Sequence, residues 1–330
     1  MSSAFDVSVV IGTYNRGHLI KGAIESVLGQ EAGATAFEVI VVDNNSTDGT
    51  RQAVHSLTGR ANGRLRYLFE PKQGVSYSRN LGVSVSNAPI VAFLDDDVRP
   101  ATGWISTIQR LFAEYPEIGL VGGKVLPDWC CPPPRWLTRH HWMPLALLDY
   151  GDFPFLIDAS TNMGLISANC AIRKDLLVKA GGFAPELQRV KDNIGSMEDQ
   201  ELFERLFQAG ARGVYWPGLE VRAVTAAERL TRAYHRRWHF EHGRFYALYR
   251  SRRMEPTAVG RLFDVPAHMY RQMAADALMW LKYTALCRSS EAFIYENKLR
   301  FFAGFFSKRL RQCTGSGNRS RSATWHSSAP

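Results

Sequence analysis

At 330 residues, with 45% hydrophobic and 12% aromatic content, the chain can bury one large α/β domain and carry an appendage. Five cysteines without a CxxC pair exclude a disulfide framework and point to a reducing compartment. The net charge of +9 is unevenly placed: residues 1–221 hold 20 Lys/Arg against 24 Asp/Glu, whereas residues 222–330 hold 20 against 7, so the two halves have separate tasks.

The first residues lead straight into a core-like strand, without the charged and apolar regions of a secretory signal. No apolar run reaches the roughly 20 residues that span a bilayer. Residues 7–11 (VSVVI) predict a first strand, and 18–30 a helix with Leu19, Ile20, Ala23, Ile24, Val27 and Leu28 on one face. Residues 37–42 (FEVIVV) and 65–70 predict further strands, and 74–86 a helix that opens on small residues. Residues 90–94 (IVAFL) are the short continuous apolar run of a buried parallel strand. This alternation predicts an α/β domain with a mostly parallel sheet and flanking helices. Residues 127–155, rich in Pro and Trp, read as a long irregular loop. Leu202, Phe203, Leu206 and Phe207 form the apolar face of a later helix. The expected division is an α/β domain at 1–222, a basic, aromatic, helical extension at 223–312 and a disordered Ser/Gly/Arg tail at 313–330.

The fourth strand ends in Asp95-Asp96-Asp97. Three adjacent carboxylates repel one another, and at the carboxyl end of a parallel strand that charge density suits a hard divalent cation serving phosphates. The first strand runs into Gly12-Thr13-Tyr14-Asn15-Arg16-Gly17, but His18-Leu19 follow where a P-loop needs Lys-Ser/Thr. The GxGxxG spacing of a dinucleotide site is also missing, which excludes a dehydrogenase. What remains is a polar loop in which Tyr14 offers a stacking face and Arg16 a donor fork for phosphate. Asp43 and Asn44 end the second strand, where Asp43 is placed to read a base edge or a ribose hydroxyl. Each loop alone matches an ordinary βα turn with capping residues. Three of them at the sheet edge that carries the acidic triplet make a site. Cys130-Cys131 and His140-His141 lack the spacing of a tetrahedral zinc site.

Taken in order, VSVVIGTYNR, VIVVDNNSTDGT, GVSYSRNLGV, VAFLDDDVRP and MEDQELFERLFQAG resemble the family 2 glycosyltransferases of the GT-A fold, over roughly residues 5–215. The resemblance implies a nucleotide-diphosphate sugar donor, a Mg²⁺ or Mn²⁺ ion at a DxD-type motif, and inversion at the anomeric carbon. Carried over residue by residue, it implies that Thr13, Tyr14, Arg16 and Asp43 hold the nucleoside, with Asn15 and Asn44 beside them. Arg79 and Asn80 add base or ribose contacts. Asp96 meets the ribose, and Asp97 binds the metal with Asp95 as partner. Asp199 is the general base, with Glu198 as fallback, and Asn169 lies in the acceptor-side segment. Many relatives have a histidine near the metal after the next strand; Ala223 stands there here, which leaves two alternatives: Arg222, His235 or His239 substitutes, or the metal relies on Asp97, phosphates and water.

These residue types suit the reaction. A metal ion offsets the charge left on a departing diphosphate, and one carboxylate across the sugar takes the acceptor hydroxyl's proton. The alternative, a sugar-phosphate nucleotidyltransferase, needs a basic, Gly-rich triphosphate loop that GTYNRG does not supply. The expected partners are the donor, a glycan or lipid-linked acceptor of cell-surface polysaccharide synthesis, and an anionic membrane surface, with no nucleic acid. The membrane contact is expected from Phe301/Phe305 and Phe302/Phe306, spaced i,i+4 among cations. The expected location is cytoplasmic, peripheral on the inner membrane's cytoplasmic face.

Overall fold

The computed structural model describes residues 4–161, 163–190, 194–252, 260–262 and 265–316. It divides into two compact units, Met1–Thr231 and Arg232–Pro330. In the front unit the strands are β1 (Val7–Thr13), β2 (Phe37–Asp43), β3 (Leu65–Phe69), β4 (Ile90–Asp95), β5 (Val98–Pro100), β6 (Leu120–Gly122), β7 (Val125–Trp129), β8 (Phe155–Ile157), β9 (Asn169–Arg173), β10 (Gly213–Tyr215) and β11 (Val221–Thr225). Its helices are α1 (Gly17–Leu28), α2 (Thr50–His55), α3 (Val75–Val85), α4 (Trp104–Glu114), α5 (Lys174–Ala180) and α6 (Glu198–Gln208).

Eight strands form one sheet in the order β3-β2-β1-β4-β9-β6-β10-β8, and β5-β11-β7 form a small second sheet. The first four strands of the chain pair in parallel, and β9 runs antiparallel between β4 and β6. Every residue of β2 is buried, in keeping with the apolar run at 39–42. The expected α6 face is buried as a unit: Leu202, Phe203, Leu206 and Phe207 pack with Val10, Val91 and Phe93 of the sheet. Helix α4, not anticipated from sequence, buries Trp104, Ile105, Ile108, Leu111 and Phe112 on one stripe. β11 runs through residue 222 and pairs with β5 and β7, so the front unit extends to Thr231 rather than ending at 222.

At the sheet edge away from the acidic triplet, Glu38 is buried inside β2. Its carboxylate accepts hydrogen bonds from Ser8 Oγ (2.7 Å), Asn87 N (2.7 Å), Asn87 Nδ2 (3.2 Å) and Arg66 Nη1 (3.0 Å). Burial alone would raise its pKa, but these bonds and the Arg66 charge lower it below the usual carboxylate value. A carboxylate with a lowered folded-state pKa stabilises the fold above its unfolded pKa, and that contribution fades as pH falls through the folded value. Glu38→Gln is expected to lose about 1–3 kcal/mol at pH 7 and to show a flatter acid limb than the parent. Urea titrations between pH 7 and pH 4 check this; parallel curves would refute it.

The second unit holds α7 (Arg232–Arg252), α8 (Ala267–Ala285) and α9 (Ser289–Ser316). Helices α7 and α9 cross at reciprocal glycines. A Cβ on Gly243 would lie 2.1 Å from Phe301 O, and one on Gly304 would lie 1.9 Å from Phe240 O. Only glycine lets the backbones approach so closely. Phe302 and Phe305 are buried with Ala247, Val265 and Met269, while Phe301 and Phe306 pack against that cluster. The aromatic stripe expected to meet a membrane is therefore the core of this unit, where each buried Phe contributes roughly 2 kcal/mol. The expected tail lies outside the described residues from 317 onward.

Candidate active site

Parallel register brings three strand ends to one edge: Gly12 of β1 pairs with Asp95 of β4, and Thr13 of β1 pairs with Asp43 of β2. Open α/β sheets bind ligands at this edge, where the loops are free to vary while the strands hold them in place.

The β1–α1 loop is laced to the segment after β2. Asn15 takes a left-handed conformation (φ 51°) that Asn tolerates better than most residues. Its N–H donates to Ser46 Oγ (2.9 Å), and its Oδ1 accepts from Thr47 N (2.8 Å). Arg16 N donates to Thr50 Oγ1 (3.1 Å), and Gly17 N to Asp48 Oδ2 (3.0 Å). Tyr14 and Arg16 are thus presented half-buried on a braced loop. Asp43 is buried and accepts from Ser46 N (2.9 Å) and Tyr67 O–H (2.7 Å), so only its remaining lone pairs can reach a nucleoside. Burial and the Asp43 charge raise the Tyr67 pKa, which keeps that phenol a donor.

In the acidic triplet each carboxylate has a different neighbour. Asp95 meets Arg79 at 3.2 Å, Asp96 accepts Thr13 Oγ1–H at 2.7 Å, and Asp97 faces Arg16 and Arg229, each at 3.7 Å. Burial, then the Asp97 charge, pushes the Asp96 pKa up to about 7. Burial, then Asp95, also raises Asp97, against the opposing pull of Arg229 and Arg16. Both shifts come first from burial and then from repulsion within the triplet. Its donors are hard oxygens, and among the described residues no group of three His, Cys, Asp or Glu converges to hold a metal. This fits a cation that takes one or two carboxylates and completes its shell with phosphate and water, as Mg²⁺ does.

Arg79 joins the triplet to the acids of α6. Its side chain is 7% exposed and contacts Asp95 (3.2 Å), Glu198 (3.2 Å) and Asp199 (3.1 Å). Burial pulls its pKa down, but Asp199, Asp95 and Glu198 more than reverse that, so the guanidinium stays charged. Glu198 is the more enclosed acid, 6% exposed against 24% for Asp199, and burial followed by the Asp199 charge raises its pKa. Asp199 is held on both oxygens. Arg79 binds Oδ1, while Ser167 donates N–H (2.9 Å) and Oγ–H (2.7 Å) to Oδ2. A carboxylate offers about four acceptor positions, so roughly one remains for an incoming hydroxyl.

Four of the expected site residues bond to protein groups. Arg79, expected at the base or ribose, pairs with three carboxylates. Asn80 clasps the Phe183 backbone, donating to its carbonyl (2.9 Å) and accepting its N–H (2.8 Å). Asn44 accepts Gly74 N–H (2.7 Å) and donates to Glu70 O (3.3 Å) and Lys72 O (2.6 Å). Asn169 accepts Trp104 Nε1–H (2.8 Å) and donates to Lys124 O (2.9 Å) and Leu219 O (2.7 Å), so its buried amide braces loops and has no donor left for a sugar. Polar side chains at a sheet edge serve either ligands or the loops around them, and sequence does not separate the two.

Sequence reasoning passed over Ser167 and Arg229. Ser167 lies two residues before β9, whose Asn169 pairs with Leu94, so antiparallel β9 delivers it beside the triplet. Arg229 sits on a 3-10 turn, Ala227–Leu230, just after β11, and Val224 N–H donates to Asp97 O (2.8 Å) to tie that segment to the triplet. Ala223 is buried in β11, and Arg222 is 61% exposed and paired with Glu220. Arg229, like Arg16, stands 3.7 Å from Asp97.

Known proteins share this arrangement of elements. A family model described as glycosyl transferase family 2 matches residues 8–180. Glucosyl-dolichyl phosphate glucuronosyltransferase of Haloferax volcanii is 27% identical over 212 residues, covering 63% of this chain and 66% of that protein. GalNAc(5)-diNAcBac-PP-undecaprenol beta-1,3-glucosyltransferase of Campylobacter jejuni is 34% identical over 106 residues, covering 32% of this chain and 33% of that protein. The chain thus spans less than two thirds of the length of both curated relatives. Mannosyltransferase PcManGT from Pyrobaculum calidifontis, solved with GDP-Man and Mn²⁺, superposes with a TM-score of 0.56 at 18% identity, covering 97% of this chain and 91% of that one. That likeness is one of fold, the GT-A architecture. With more than half of its length matched, the chain belongs to glycosyl transferase family 2.

Proposed function

We propose that the protein is a divalent-metal-dependent, inverting glycosyltransferase that moves a sugar from a nucleoside diphosphate to a glycan or lipid-linked acceptor. The observation that carries this reading is the pairing, through Arg79, of an acidic triplet at one strand end with a half-open carboxylate, Asp199, held by Ser167. Tyr14 and Arg16 receive the nucleoside and its phosphate, with Thr13 and Asp96 at the ribose. Asp97, with Asp95, would hold Mg²⁺ or Mn²⁺. When bound, such an ion neutralises the charge that builds on the leaving diphosphate. Asp199 accepts the proton of the attacking hydroxyl, and its fixed geometry places that base before the acceptor arrives. Arg79 lies between Asp199 and Glu198 and pairs with both. Relatives named for dolichyl- and undecaprenol-linked compounds support a lipid-linked acceptor. No described helix is long and apolar enough to cross a membrane.

The nucleotidyltransferase alternative lacks such support, since the relatives described above are named as transferases of sugars. A panel of UDP-, GDP- and TDP-sugars incubated with and without Mn²⁺ tests the proposal. The expected result is slow, cation-dependent release of a nucleoside diphosphate from one donor. Pyrophosphate release from a nucleoside triphosphate and a sugar phosphate would overturn it.

A further inference from the structure

We propose that the outward face of α8 docks the protein in the headgroup region of an anionic lipid bilayer. The helix carries an exposed apolar row: Leu278 is 68% exposed, Leu281 55%, and Leu286, just past the helix end, 57%. Ala274, Ala275 and Ala285 are exposed alongside them, at the spacing of one helical face. Single exposed leucines are ordinary, but a continuous row on one face of a nineteen-residue helix is not. Arg271 and Lys282 lie on the same face, also exposed.

The charge of the face selects the occupant. Asp276 is the only acid in α8, and it is buried, bonded to Gln272 (3.2 Å) and Lys298 (3.4 Å). The outward face therefore presents cations and leucines with no carboxylate. Residues 232–330 as a whole hold 18 Lys/Arg against 6 Asp/Glu. A second copy docked symmetrically would oppose cation to cation with nothing to neutralise them. A nucleic acid would meet the cations but leave the leucines in water. Anionic headgroups accept the cations while the acyl boundary takes the leucines, and Lys and Arg stems lie along that boundary with their charges in the headgroups. This surface goes beyond the proposed reaction and does not depend on it.

The test uses the full chain and vesicles that contain no sugar acceptor, so its outcome is separate from that of the transfer assay. Flotation with phosphatidylcholine vesicles carrying about one third phosphatidylglycerol should bring the protein up at moderate salt, and pure phosphatidylcholine should not. The double substitution Leu278→Asp/Leu281→Asp should lower partitioning by about tenfold or more, with an unchanged circular dichroism spectrum and melting temperature. Arg271→Glu/Lys282→Glu should lower it as well and remove the salt dependence. Failure of the parent protein to float, equal binding to neutral vesicles, or undiminished binding of the leucine variant would each overturn the proposal. So would a parent dimer in light scattering that the leucine variant breaks without any vesicle binding.

Discussion

Asp199→Asn is expected to lower sugar transfer by about a hundredfold or more while donor affinity stays within a few fold. The amide keeps the volume of the carboxylate but has no basic lone pair to take a proton. Its oxygen can still accept from Ser167 N and Oγ, which then turns its NH₂ toward the Arg79 guanidinium. That loss is tempered because Arg79 keeps Asp95 and Glu198 as partners. A stability loss of about 1–3 kcal/mol is therefore expected beside the kinetic effect. Single-turnover transfer and donor titration, run together, separate the two. Glu198→Gln should be milder, because Glu198 is only 6% exposed and cannot reach an acceptor as easily. A dead Glu198→Gln with an active Asp199→Asn would reverse the roles.

Asp97→Ala is expected to abolish transfer and to remove the Mn²⁺ dependence of nucleoside diphosphate binding. The mutation relieves repulsion within the triplet, since Asp97 is the largest charge acting on Asp96 and its own carboxyl is raised by Asp95. The fold should therefore tolerate the change or gain slightly from it, which makes the variant a clean probe. Arg16 and Arg229 lose an ion-pair partner at 3.7 Å but keep their positive charge beside the site. Metal-independent nucleotide binding is thus expected to persist and to become more salt-sensitive. Calorimetry with UDP and GDP, each with and without Mn²⁺, checks this; unchanged metal-dependent affinity would remove Asp97 from the metal site.

Local pattern determined a large part of this protein. The apolar-rich strands β1, β2 and β4 and the apolar stripes of α1 and α6 are properties of neighbours in sequence, and the structure realises them within a few residues. Parallel register then places the loops after β1, β2 and β4 at one edge, as the order of the motifs implied. Tertiary structure decided which polar residues at that edge are free. Asn44, Asn80 and Asn169 are consumed by backbone groups between 26 and 103 residues away, and such pairings leave no trace in local pattern. Ser167 and Arg229 reach the carboxylates only because β9 reverses direction beside β4 and β11 closes a second sheet. In the basic half, helical periodicity marked the aromatic row, and the leucines of α8 were not singled out. The packing of α9 against α7, through Gly243 and Gly304, makes the phenylalanines core, and α8 turns Met269 and Met273 to that core, which leaves its leucines exposed. An apolar stripe records that a helix has a face to bury, and the partner for that face is set by contacts far apart in the chain.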